Sequence, residues 1–186
     1  MVDVIVFHHI QGLTSGVFEF SEELRRQGHT VHVPDLFEGR TFASIEEGLA
    51  FVEAEGSRPI RVGLDAAYGL PNDLVYVGLS FGVMIAQRLA QTRQGARGAL
   101  LLHSCLPIAE YGGWPQGLPV QIHAMEGDEY FAEDLPAATE LAARPEGELF
   151  TYPGDRHLFT DASLPEYDGD AYGLLMERVT AFLAEI

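Results

Sequence analysis

Apolar residues recur along this chain in two rhythms. Apolar runs of strand length stand at residues 4–7, 30–33, 74–77, 99–102, 120–124 and 148–152. Segments 18–26, 45–54, 60–68, 83–93, 135–143 and 172–184 repeat their apolar positions at helical spacing. Continuous Val, Ile and Leu strands alternating with amphipathic helices need a sheet covered on both faces, and crossover helices make such a sheet parallel. The pattern therefore predicts an α/β fold, a mostly parallel doubly wound sheet of about six or seven strands with helices on both faces.

Local punctuation agrees with these periods. Gly28 follows the first helical run as a stop, and Ser44 precedes the second as an N-cap with Glu47 at the capping-box position. Pro34 and Pro119 mark strand boundaries, and residues 112–117 form a loop rich in Gly and Pro. No repeat or linker divides the chain, so residues 1–186 are read as one domain.

One junction between the two rhythms carries chemistry. Gly78-Leu79-Ser80-Phe81-Gly82 joins the apolar run ending at Val77 to the helical run starting at Val83. A G-x-S-x-G between strand and helix is the context of a nucleophile elbow, in which glycines let crowded backbones meet and the serine projects from the sheet edge. The pentapeptide alone is a weak signal; its context and partners make Ser80 the candidate nucleophile. A serine hydroxyl needs a histidine base and an acid that holds the histidine's tautomer, in the chain order Ser, acid, His. The loop after the fifth strand supplies Asp128, with Glu126 and Glu129 as rivals, and the loop after the last strand supplies His157. The other six histidines fall at strand ends or inside strands. Backbone N–H groups of Phe81 and Ile10 are candidates for an oxyanion hole, provided that the first and third strands are neighbours. His8, His9 and Gln11 beside Ile10 are either site residues or ordinary polar loop residues.

Composition prunes the alternatives. A formal charge of −17 argues against a nucleic-acid partner, whose phosphates need clustered cations. All 11 cationic side chains are Arg, which removes Schiff-base lysines, Ser-Lys dyads and the P-loop lysine. The single Cys105 precludes an intrachain disulfide and, lacking elbow glycines and flanked by leucines, reads as a buried structural thiol. No signal-peptide pattern or apolar run of membrane-spanning length is present, and the expectation is a cytoplasmic protein without a membrane partner, monomeric or weakly dimeric. The histidine spacing matches no metal motif, so neither metal nor organic cofactor is expected. Phe37, Trp114, Tyr130 and Phe159, with Tyr111, fall in or near loops at the carboxyl ends of the strands and are expected to line an acyl pocket, unless they serve as core.

With these residues assembled, the chain resembles the dienelactone hydrolase family of the α/β-hydrolase fold. The likeness spans nearly the whole chain. It rests on the elbow, Ile10-Gln11-Gly12, Gln27-Gly28-His29, Val33-Pro34-Asp35-Leu36-Phe37, Gly127-Asp128 and Tyr152-Pro153-Gly154-Asp155-Arg156-His157-Leu158-Phe159. The resemblance implies hydrolysis of a small ester or lactone through an acyl-enzyme, with Ser80, Asp128 and His157 as triad and Ile10 and Phe81 at the oxyanion positions. It also implies substrate-binding positions near His9 and Gln11. The chain departs from the family at three places: Ser80 stands where the family's named activity uses cysteine, His9 where its members carry glutamate, and Asp161 where they carry a substrate-binding arginine. The segment between Phe42 and Asp73 is also shorter, so a neutral ester or lactone is expected rather than an anionic dienelactone. The alternatives are a noncatalytic small-molecule binding protein on the same fold, and a thioesterase or acyltransferase with the same triad.

Overall fold

The computed structural model describes residues 1–186. Six strands form one sheet: β1 (Asp3–Phe7), β2 (Thr30–His32), β3 (Leu74–Leu79), β4 (Gly98–Leu102), β5 (Val120–Met125) and β6 (Gly147–Tyr152). Their order across the sheet is β2-β1-β3-β4-β5-β6, and every neighbouring pair is parallel. Helices α1 (Ser15–Arg26), α2 (Ile45–Glu55), α3 (Arg58–Tyr68), α4 (Val83–Thr92), α5 (Glu129–Ala142) and α6 (Gly169–Glu185) make the connections. No helix is long and apolar enough to cross a membrane.

Strand alternation divides the core in two. Val4, Val6, Val75, Val77, Leu100 and Leu102 face one layer, where Val17, Phe20 and Leu24 of α1 meet Leu175, Val179 and Phe182 of α6. Ile5, Phe7, Leu74, Tyr76, Ala99 and Leu101 face the other, against α3, α4 and α5. Both faces of the central strands are buried, which is why their sequences read as unbroken apolar runs.

Several helices start earlier than their periodicity predicts. α5 begins at Glu129, because Asp128 caps it by accepting the Tyr130 N–H at 3.0 Å. Its first turns are mostly polar, so the apolar spacing becomes visible only later, and Pro136, a residue suited to a first turn, lies inside the helix. Asp168 likewise starts α6 and Thr14 starts α1, each accepting a backbone N–H. The segment after β4 contains a short 3-10 turn, Ile108–Tyr111, and is tied along α4. Buried Gln87 donates to the Leu106 carbonyl at 2.8 Å, and Gln91 donates to those of Ile108 at 2.8 Å and Gly113 at 3.0 Å.

The chain runs from β1 outward to β2 and then returns to the other side of β1 as β3. That reversal opens a crevice at the carboxyl ends of β1 and β3, the place where sheets of this kind bind ligands. Two glycines let the elements meet there. A Cβ on Gly78 would lie 2.6 Å from the Val83 nitrogen and Cα, and one on Gly82 would collide with the carbonyl oxygen of Phe7. Gly82→Ala should therefore destabilise the fold by about 3 kcal/mol through overpacking that rigid backbone cannot relieve. Urea unfolding should record a lower midpoint at constant slope, and an unchanged midpoint would contradict the close packing.

Candidate active site

The turn out of β3 puts Ser80 in a left-handed backbone conformation, with φ of 48°, uncommon for a residue with a side chain. The strain aims its hydroxyl away from the sheet edge, and α4 follows directly after a single 3-10 turn, Ser80–Gly82. Ser80 Oγ lies 2.7 Å from His157 Nε2. His157 Nδ1 lies 2.7 Å from Asp128 Oδ2. Because the carboxylate can only accept, Nδ1 carries the proton, and Nε2 presents its lone pair to the serine hydroxyl. The other oxygen of Asp128 accepts the Tyr130 N–H, so the start of α5 fixes the carboxylate in place. Asp128 is 2% exposed and His157 8%, which shields the relay from water. Glu126 and Glu129, the rivals to Asp128, make no hydrogen bond to His157.

Strand neighbours β1 and β3 bring the loop of residues 8–14 beside the elbow. No backbone or side-chain acceptor takes the Ile10 N–H. Phe81 stands in the first turn of its 3-10 segment, where backbone N–H groups have no intrahelical acceptor. The Ile10 loop is held from three sides. Gly12, at φ of 98°, pairs with Thr41; the Phe42 N–H donates to the Gln11 carbonyl at 2.9 Å; and Gly48 of α2 packs so closely on the Ile10 carbonyl that a Cβ would strike it.

No protein-family model matches the chain, and no curated protein matches it in sequence. Solved structures do match over nearly its full length. A dienelactone hydrolase-like promiscuous phosphotriesterase from metagenomic libraries superposes with a TM-score of 0.78 at 20% identity, covering 100% of this chain and 86% of its own. A candidate dienelactone hydrolase of Klebsiella pneumoniae subsp. pneumoniae gives 0.77 at 18% identity, with 100% and 88% covered. A cold-adapted esterase from an Arctic intertidal metagenomic library gives 0.62 at 13% identity, with 97% and 82% covered. This is the α/β-hydrolase fold. At these identities the likeness is one of fold, and what each relative acts on is that protein's own property.

Within this α/β-hydrolase fold the remaining expected site residues divide into three groups. Gln11 and Tyr130 line the cavity beside His157, the Tyr130 ring 4.7 Å from the imidazole and half exposed. His9 and Phe37 lie one layer behind. His9 is buried with both ring nitrogens occupied: Nδ1 accepts the Gln11 N–H at 3.2 Å, and Nε2 donates to Asp161 at 2.7 Å. Its ring ties the Ile10 loop to Asp161. Phe37 is likewise buried, 5.7 Å from the Phe81 ring and 4.7 Å from His8. Trp114 and Phe159 depart from expectation. Trp114 donates to the Leu118 carbonyl at 2.8 Å and packs beside the C-terminal end of α4, the end remote from Ser80. Phe159 sits in the α1–α6 core against Tyr152 and His103. Both aromatics have enough apolar area to be claimed by the core, and helix α4 carries the loop of Trp114 away from the crevice.

Two pairings at the site, those of Asp161 and of His103, have no signal in the sequence. Asp161 ties the last loop to the first: it accepts from His9 and Thr14 through one oxygen and from the Ser163 N–H and hydroxyl, at 2.8 and 2.6 Å, through the other. Burial pushes its carboxyl up, but the bonds from His9, Ser163 and Thr14 outweigh that, and its pKa falls to about 2. His103, at φ of 70°, donates or accepts at Thr160 through Nε2 at 2.8 Å, while its Nδ1 is buried without a partner 5.8 Å, ring to ring, from His157. No group of three or more His, Cys, Asp or Glu side chains is arranged to hold a metal ion. Burial, aided by nearby acidic groups, raises the Cys105 thiol to about 12, which makes it a poor source of thiolate.

Buried neutral histidines set the acid sensitivity of the fold. Burial lowers His8 to about 4 and His123 to about 3, and burial together with His157 holds His103 well below its ordinary value. Unfolding restores each to 6.5, so below that pH the unfolded chain binds more protons and stability declines. Asp161, held below its ordinary 3.8, works in the same sense but only below that value, so it adds nothing to the loss above it. Urea midpoints should hold near pH 7.5 and fall from about pH 6.5 towards 4.5, each histidine contributing a limiting slope of about 1.4 kcal/mol per pH unit. A flat profile over that interval would contradict the neutral burial of these rings.

Proposed function

We propose that the protein is a serine hydrolase that cleaves a small carboxylic ester or lactone through an acyl-enzyme, in the manner of the dienelactone hydrolase family. One observation carries the reading: the unbroken relay from Ser80 Oγ through His157 to Asp128, at 2.7 Å on each side of the imidazole. His157 Nε2 takes the hydroxyl proton as Ser80 Oγ bonds to the carbonyl carbon, and Asp128 stabilises the imidazolium formed. The carbonyl oxygen gains the negative charge, facing the Phe81 and Ile10 N–H groups. Collapse of the tetrahedral intermediate breaks the bond to the alcohol oxygen, which receives the proton from His157. A water molecule then repeats the sequence, delivering its proton to His157 and its hydroxyl to the acyl carbon, and Ser80 is regenerated. Serine in place of the family's cysteine makes this base assistance indispensable, because an alcohol has no appreciable anion at neutral pH.

Hydrolysis of p-nitrophenyl acetate by the purified protein tests the assignment. Ser80→Ala should reduce kcat/KM by at least about 1,000-fold, and Asp128→Asn by a comparable factor through the wrong histidine tautomer. Both variants should unfold in urea as cooperatively as the parent. Hydrolysis undiminished in Ser80→Ala would overturn the assignment.

A further inference from the structure

The cavity beside the relay has a volume of about 460 Å³, and its lining is strongly one-sided in charge. Besides Asp128 it carries Glu46, Glu129, Asp155 and Glu166, against a single cation, Arg156. That arginine is turned elsewhere: Nη1 donates to the Tyr167 carbonyl at 2.7 Å and stands 3.9 Å from Asp168. Glu166, which is partly buried, lines the same cavity, and its Oε2 is shielded from solvent with no hydrogen-bond donor against it. The Glu46 backbone and Ser44 lower the pKa of the Glu46 carboxyl. The half-exposed Tyr130 ring adds an aromatic face next to His157. A cleft lined by one sign of charge concentrates ligands of the other sign, and a tyrosine face attracts cations.

Resting on the hydrolase reading above, we propose that the substrates are esters carrying a positively charged ammonium group, and that the rim rejects anionic esters. The same field acts on the products. Hydrolysis adds water across the ester and leaves an alcohol and a carboxylic acid, which loses its proton to solvent. The rim repels the resulting carboxylate unless that fragment retains the ammonium group.

The test is a matched series at low ionic strength. Three p-nitrophenyl esters share the leaving group and differ only at the acyl terminus, which is trimethylammonium, tert-butyl or carboxylate; acetylcholine and its tert-butyl isostere place the charge on the alcohol side. In at least one set the cation should be preferred over its neutral isostere by about tenfold in kcat/KM, with the carboxylate disfavoured by a similar factor. The preference should shrink towards unity near 0.5 M salt, where the screening length is only a few ångströms. The double variant Glu129→Gln, Glu166→Gln should reduce the ratio of cationic to neutral rates, and the salt series on the unaltered protein reads the same effect should that variant not fold. Neutral esters cleaved with equal or better efficiency than the cations in both sets, or a preference insensitive to salt, would overturn this inference while leaving the hydrolase assignment standing. No turnover of any ester, with no labelling of Ser80, would overturn both.

Discussion

The structure turns on one crowded corner, where β3 ends and α4 begins. Two backbones and a third strand's carbonyls share space that side chains cannot enter, so glycine stands at positions 78 and 82. The chain can make the turn only by placing Ser80 in the left-handed region. Such a conformation is unfavourable by about 1–2 kcal/mol and survives only where the surroundings dictate it. Here the sheet on one side and the buried face of α4 on the other dictate it, and the stability of the core maintains a partly exposed serine hydroxyl in a fixed direction.

The other parts of the site are aligned to that hydroxyl by elements with independent reasons to be where they are. Asp128 starts α5, so the residue that orients His157 is also the one that satisfies a helix end. The Ile10 loop is gripped by Gly48 of α2, by Thr41 and Phe42, and from beneath by His9 on Asp161. Asp161 belongs to the loop after His157, so a single buried carboxylate links the segment carrying His157 to the segment carrying the candidate oxyanion donor. The proposed hydrolysis and the proposed preference for cations rest on separate features, the first on the Ser80–His157–Asp128 relay and the second on the carboxylates that line the cavity beside it.

The architecture was largely readable from the chain because a sheet buried on both faces leaves no ambiguity of period: each central strand is an unbroken apolar run. Helix beginnings were less readable where the first turn is polar, as in α5, since a cap such as Asp128 is visible only once the helix is known to start there. The placement of Ser80, Asp128 and His157 followed from order along alternating elements, which the sheet topology converts into proximity. Side-chain fates in the loops did not follow. Trp114, Phe159 and Tyr130 all fall after strands in the sequence, and only the path of the chain over α4 or into the α1–α6 layer separates core from cavity. The pairing of His9 with Asp161, 152 positions apart, has no local sequence mark at all.

The most direct measurement is peptide mapping by mass spectrometry after exposure to a fluorophosphonate, with His157→Ala treated in parallel. The phosphorus should be captured by Ser80 Oγ with loss of fluoride, giving one adduct on the peptide that contains residues 78–82, formed far more slowly in the variant. An adduct on another residue, or none under conditions in which the protein is folded, would contradict the claim that this corner presents an activated serine.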